Sequence, residues 1–127
     1  MIIGMETSSG GGGGVKNGSG TTTTQNEVVK VETGLSTITH FTLVWINTSG
    51  NTTGVGTLEY NSNKSTEYMS VFQNDSGSAV NGGRKNIGTR ADNIAFFLDS
   101  ISANGDVNLY APNQNTFYTT SYWWYAE

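Results

Sequence analysis

Side chains capable of acid–base or nucleophilic chemistry are few in this sequence. His40 is the single histidine, and the 127 residues include no cysteine. A catalytic triad needs a nucleophile, a base and an orienting acid, and a zinc site needs several His or Cys ligands. His40 lies inside a predicted strand, between Thr39 and Phe41. We therefore expect it to be a structural histidine and not a catalytic or metal-binding one.

The carboxylates offer one candidate pair for catalysis. Glu59 and Glu67 lie on the two arms of a predicted hairpin and would face each other across it, and a glycosidase uses two such acids. Asp75, Asp99 and Asp106 lie near turns, but their spacing does not match a calcium-binding loop. We predict no catalytic, metal or cofactor site, and we keep a small glycosidase using Glu59 and Glu67 as a third hypothesis.

The most concentrated group of aromatic residues lies in residues 116–127. Aromatic and β-branched residues favour strands, and side chains alternate between the two faces of a strand. One face of this segment would carry Phe117, Thr119, Ser121, Trp123 and Tyr125. The other face would carry Tyr118, Thr120, Tyr122, Trp124 and Ala126. Because both faces are aromatic, we predict a central strand with one face in the core and the other in a subunit interface or under a binding surface.

A second candidate binding region is basic. Half of the six basic residues lie in residues 75–92, which we predict to be the longest irregular stretch of the domain. Long loops on a rigid sheet often bind ligands or partners. The region is either a solvated loop or a contact with acidic groups of a neighbouring subunit or a charged glycan. The candidate interface and binding residues are Tyr122, Trp123, Trp124, Tyr125, Arg84, Lys85 and Arg90.

The elements that would position these residues are strands. Short apolar segments recur every 8–12 residues between Gly, Asn and Ser turns, and no segment keeps a helical period. Phe41, Leu43 and Trp45 share one face of the second strand. We predict an all-β fold, an antiparallel β-sandwich or jelly roll of about eight strands. The predicted strands cover residues 28–32, 36–47, 54–60, 67–73, 93–101, 106–111 and 116–127.

The beginning of the sequence has a different composition. Residues 1–24 contain a run of five glycines and a run of four threonines. Such a segment buries too little apolar surface to offset the entropy of ordering it. We predict two parts, a Gly/Thr-rich N-terminal arm over residues 1–24 and a sandwich domain over residues 25–127. The arm is either a flexible linker or a tether that becomes ordered on a larger assembly.

Charge and hydropathy exclude several classes of partner. The formal net charge is -4 and only 13% of the residues are charged, which argues against nucleic-acid binding. No window approaches the ~20 apolar residues of a membrane span, so we expect no membrane partner. The first residues lack the basic and apolar regions of a signal peptide, so we expect a soluble chain that is made in a cytoplasm.

Four segments together resemble a known group of proteins. They are Gly18-Ser-Gly-Thr-Thr, Val31-Glu-Thr-Gly-Leu-Ser-Thr-Ile-Thr-His-Phe, Asn93-Ile-Ala-Phe-Phe-Leu and Tyr122-Trp-Trp-Tyr-Ala. The pattern over residues 15–127 resembles small virion proteins of tailed bacteriophages, of the tail-fibre-tip and capsid-accessory kinds. It is also similar to the sugar-binding sandwich of the H-type lectins. The resemblance implies a sandwich of six to eight strands that assembles as a trimer or higher.

Two functions follow from the resemblance as expectations. The first is a non-enzymatic virion protein, made in the host bacterial cytoplasm and anchored to the capsid or tail by its arm. Such a protein would display an oligomeric sandwich for head decoration or for tail-tip attachment to the host. The alternative is a free-standing, lectin-like carbohydrate-binding module.

Overall fold

The fold consists of nine antiparallel strands and one short 3-10 helix in a computed structural model that describes residues 14–49, 52–64, 66–74, 80–113 and 119–127. The described residues include no α-helix, so the predicted all-β class is confirmed, with nine strands where about eight were expected. The 3-10 helix is Ser62–Lys64. The strands are β1 (Lys16–Thr22), β2 (Val28–Glu32), β3 (His40–Ser49), β4 (Thr52–Asn61), β5 (Glu67–Asn74), β6 (Val80–Asn86), β7 (Phe97–Ile101), β8 (Asp106–Tyr110) and β9 (Thr119–Ala126).

The strands form two sheets. One has six strands in the order β1-β9-β3-β4-β5-β6, and the other has three in the order β2-β8-β7. Every pairing is antiparallel. Apolar side chains from the inner faces of both sheets form one core, as in a β-sandwich. The predicted antiparallel sandwich is therefore confirmed.

The predicted face of β3 forms the centre of this core. Phe41, Leu43 and Trp45 are all fully buried. The ring of Phe96, just before β7, meets Trp45 edge-on with the centroids 4.9 Å apart, and it meets Tyr122 of β9 at 5.9 Å. Edge-to-face aromatic pairs add about 0.5–1.5 kcal/mol beyond the burial of their area. Phe96 therefore joins the small sheet to two strands of the large one.

Large rings on the inner face of β9 lie across the backbone of β1. Gly18 pairs with Trp124 and Gly20 pairs with Tyr122 in the antiparallel register. A Cβ placed on Gly18 would lie 2.5 Å from the Trp124 Nε1 atom, and one on Gly20 would lie 2.2 Å from the Tyr122 hydroxyl. Because Gly18 and Gly20 have no side chain, the two rings can lie against the backbone of β1.

The same arrangement recurs on β4. Gly56 pairs with Trp45, and a Cβ on Gly56 would lie 2.1 Å from atoms of the indole ring. A Cβ on Gly54 would lie 2.0 Å from the ring of Phe72 on β5. Trp45 and Phe72 themselves stack, with their planes 9° apart and their centroids at 6.5 Å. The inner face of the large sheet therefore alternates rings with glycines from strand to strand.

Part of the predicted N-terminal arm belongs to the sheet. Lys16–Thr22 forms β1, which pairs with β9 over seven residue pairs. The composition of this segment gives no sign of a strand, because its side chains are small and its register depends on rings contributed by β9. Residues 1–13 lie outside the described part of the chain, and the division of the chain into an arm and a sandwich stays a prediction.

The prediction that residues 75–92 are irregular was wrong for residues 80–86. Val80–Asn86 forms β6, the edge strand that pairs with β5. Gly82 has a φ of 113°, and a Cβ there would lie 1.9 Å from the Ser70 carbonyl oxygen. This strand has no apolar alternation, so only its backbone pairing reveals it. The β4–β5 hairpin consequently lies inside the sheet and not at its edge.

We predict that Gly56→Ala destabilises the domain by about 1–3 kcal/mol, because the added methyl group overlaps the buried Trp45 ring. Ser19→Ala on β1 is the control, since Ser19 is exposed on the other face of the same sheet. Urea denaturation of the two variants measures the difference. An unchanged midpoint for Gly56→Ala would contradict the requirement for glycine under the ring.

Candidate functional site

The two faces of β9 separate as the alternation of residues 116–127 predicts. Thr120 and Ala126 are fully buried, and Tyr122 and Trp124 pack against the core beside them. Trp123 points the other way and is 46% exposed. β9 lies between β1 and β3, so the prediction of a central strand is confirmed. Phe117 and Tyr118 lie outside the described residues.

The outer face, defined as the side of the six-stranded sheet that points away from the core, carries most of the exposed large hydrophobic residues among those described. Four of the five exposed large hydrophobic residues among those described lie on it, and the fifth, Val28, lies on β2. The register places Trp123 between Ser19 of β1 and Val44 of β3. No described part of the chain covers this face. The four residues are Ile46 at 39%, Val55 at 51%, Met69 at 48% and Trp123 at 46% exposure.

The end of β9 is fixed to the beginning of β3. The backbone carbonyl of Glu127 accepts hydrogen bonds from the amides of Thr39 and His40, at 2.7 and 2.9 Å. The Tyr125 hydroxyl donates to the Glu127 carboxylate, which raises the pKa of Tyr125. The His40 ring meets the Tyr125 ring edge-on, with the centroids 6.4 Å apart. Tyr125 and His40 thus form a fixed aromatic border at one end of the outer face.

The structure does not bring the three basic candidates together. Arg84 and Lys85 are neighbours on β6, so their side chains leave opposite faces of the strand. Arg84 pairs with Met69 and belongs to the outer face, where its Nε lies 3.9 Å from a Glu67 carboxylate oxygen. Lys85 pairs with the buried Tyr68 and is exposed at the edge.

Arg90 connects distant parts of the sandwich. Its guanidinium donates hydrogen bonds to the Asn26 side chain and, at 3.4 Å, to the Ala95 carbonyl. The same group lies 5.1 Å from the centroid of the Phe97 ring. Its burial lowers the pKa of Arg90. These contacts are those of a structural residue, and the binding role predicted for Arg90 stays a prediction.

A cavity of about 370 Å³ lies at the end of the outer face, beside the β4–β5 hairpin, and both acidic and basic side chains line it. Glu59 pairs with Met69, so Glu67 lies diagonally from Glu59 on the same face. The expectation that the two acids face each other directly was therefore wrong, although both line the cavity. Sequence reasoning missed this site because β6 was not recognised as a strand. The principal lining residues are His40, Glu59, Lys64, Glu67, Met69 and Arg84.

Neither a metal site nor a membrane span was found in the described ranges. No group of three or more His, Cys, Asp or Glu residues there could hold a metal ion, and Asp75 lies outside those ranges. No helix in the described ranges is long and apolar enough to cross a membrane.

Comparisons of this chain with protein families, curated proteins and solved structures found one weak structural likeness. No family model matches the chain, and no curated protein matches it. Among solved structures, the tailspike protein of an Acinetobacter phage aligns with all of this chain, with a TM-score of 0.36 and 13% identity. The chain spans 23% of the length of that tailspike chain.

We predict that Arg90→Met destabilises the domain by about 1–2 kcal/mol, because two hydrogen bonds and the contact with Phe97 are lost. Lys85→Met is the matched control and should change stability by less than about 0.5 kcal/mol, because Lys85 is exposed. Thermal unfolding of both variants provides the comparison. Equal stability of the two would show that Arg90 has no structural role.

Proposed function

We propose that this chain is a non-enzymatic structural or accessory protein of a bacteriophage particle. It is made in the host bacterial cytoplasm and becomes part of the virion. Its N-terminal arm anchors it to a capsid or tail protein, and its sandwich is displayed on the virion surface for head decoration or host attachment. The resemblance of the four sequence segments to small virion proteins supports the phage assignment.

One observation carries the proposal of an assembled particle protein, namely the uncovered outer face. Residues that lie side by side on neighbouring strands form rows across this face. Two adjacent rows contain no charged residue: one includes Trp123 and Val44, and the other includes Ile46 and Val55. Charged residues are depleted in the centre of protein interfaces, whereas tryptophan and tyrosine are enriched there. An exposed tryptophan held on a rigid central strand is therefore suited to contact another folded surface.

We propose copies of the same chain as the occupant of this face, in a homotrimer or higher assembly. A large sheet face with neutral rows at its centre can bury its own apolar area against an identical face or against another side of the sandwich. Tyr122 and Trp124, which were also predicted as interface residues, lie on the inner face of β9 and pack against the core. Trp123 and Tyr125 are thus the members of the aromatic group that would make the contact.

A free-standing, lectin-like carbohydrate-binding module is the second candidate. The cavity beside the β4–β5 hairpin favours it, because it gathers donors and acceptors on rigid strands. The two functions are compatible, since a displayed sandwich can also bind a host-surface glycan. A glycosidase has less support. Glu59 and Glu67 lie diagonally from each other, and no contact described for either residue distinguishes a catalytic acid from a catalytic base.

We predict that Trp123→Asp converts an assembly of several 13.6 kDa chains into single chains, because it places a charge in the centre of the contact. Val28→Asp is the control, since Val28 is an exposed apolar residue of the small sheet. Native mass spectrometry and sedimentation measure the assembly. A wild-type protein that stays a single chain at about 100 μM would refute the proposed contact.

We also predict that the chain is found in purified virions of the phage that encodes it, and that antibodies label it on their surface. Deleting residues 1–13 should leave the oligomer intact in solution and remove the protein from the particles, because the tether is lost. Proteomic analysis and immunoelectron microscopy of wild-type and deletion virions are the measurements. Absence of the wild-type chain from the particles would contradict a virion role.

A further inference from the structure

The cavity beside the β4–β5 hairpin has the properties of a built binding site. Its volume of about 370 Å³ falls within the range typical of small-molecule sites. Its lining side chains come from β3, β4, β5, β6 and the 3-10 helix, so most of them are on sheet strands. The cavity is open to solvent at the end of the outer face, where Glu59, Met69 and Arg84 lie in the row next to the neutral rows proposed for self-association.

The charges of the lining are balanced. Two carboxylates, Glu59 and Glu67, are matched by two cations, Lys64 and Arg84. The contact of Arg84 with Glu67 is long, at 3.9 Å between Nε and Oε1, which leaves most guanidinium N–H groups available to a ligand. A balanced lining does not select an anion or a cation. It suits a neutral ligand that both donates and accepts hydrogen bonds.

The site also has an apolar side. Met69 lines the cavity and is 48% exposed. The His40 ring also lines the cavity and is held edge-on to Tyr125. A ligand that combines a C–H face with hydroxyl edges would contact Met69 and the His40 ring while its hydroxyls reach the charged groups. Hydrogen bonds to ionised groups are about twice as strong as neutral ones.

The hairpin that closes the cavity is tied to the rest of the sheet. The Ser62 amide donates to the Thr39 carbonyl at 2.9 Å, next to the beginning of β3. Within the hairpin, the Asn63 amide donates to the Asn61 side chain at 2.9 Å. These bonds hold the wall in place before any ligand arrives, which lowers the entropic cost of binding.

We propose that this cavity binds a single neutral sugar residue, with Glu59 and Arg84 as the principal polar contacts and Met69 as the apolar one. Glu59 accepts hydrogen bonds from ring hydroxyls, and Arg84 donates to hydroxyl or ring oxygens. The inference rests on the proposed function in one respect, because display on a particle would bring the site to a host-surface glycan. The binding itself requires only the isolated protein.

The test uses the full-length protein and the methyl glycosides of glucose, galactose and N-acetylglucosamine, each at up to about 10 mM. In an amide NMR titration, at least one of the three should shift resonances of β4, β5 and β6 beside the cavity. Glu59→Gln and Arg84→Met should each weaken this binding by about tenfold or more. Glu32→Gln, which changes an exposed carboxylate of the small sheet, should leave it within about twofold.

Because Glu59 and Arg84 are exposed, their replacements should preserve the remainder of the spectrum, which serves as the control for folding. Three results would overturn the proposal: no shift with any glycoside, shifts located elsewhere, or unchanged affinity in both variants. Stronger binding of N-acetylneuraminic acid than of the neutral glycosides would also overturn it. Virion proteomics judges the particle role separately, so either proposal can fail while the other stands.

Discussion

The contact on which the large sheet depends is the placement of aromatic rings over glycines on the adjacent strand. Trp124 and Tyr122 occupy the space that side chains on Gly18 and Gly20 would need, and Trp45 does the same over Gly56. Rings lying flat against the backbone let a thin domain bury large apolar surfaces with small neighbours. They also hold the register, because a shift of one residue would place each ring against a side chain or on the wrong face.

This interior arrangement determines what the outer face can do. Since Tyr122 and Trp124 must point inward, strand alternation directs Trp123 and Tyr125 outward. The tryptophan is therefore exposed on a strand that cannot rotate. At the hairpin end of the same face, β6 brings Arg84 opposite Met69 and close to Glu67. One sheet face thus has a neutral apolar part suited to protein contact and a charged, concave end suited to a small polar ligand.

The sequence was sufficient for the strands whose side chains alternate. The shared face of Phe41, Leu43 and Trp45 on β3 and the separation of the two faces of β9 were predicted from periodicity. Edge strands β1 and β6 were missed because glycine-rich segments show no alternation, and their pairing is decided by the strands beside them.

The candidate site shows the same limit. Alternation predicted two separate faces of β9 but not which of them would be buried, so the exposure of Trp123 required the structure. The role of Arg90 could not be predicted, because its partner Asn26 is 64 residues away in the chain. The diagonal placement of Glu59 and Glu67 required the register of β4 against β5, and hairpin length alone does not give that register.

The most direct test of the account is oxidative footprinting of the tryptophans as protein concentration is raised from nanomolar to high micromolar. Trp45 should stay unmodified throughout, because its ring is fully buried. Trp123 should react readily in dilute protein and become protected as the outer faces meet. Modification of Trp123 at the same rate across the whole range would contradict the claim that this face is covered by another copy of the chain.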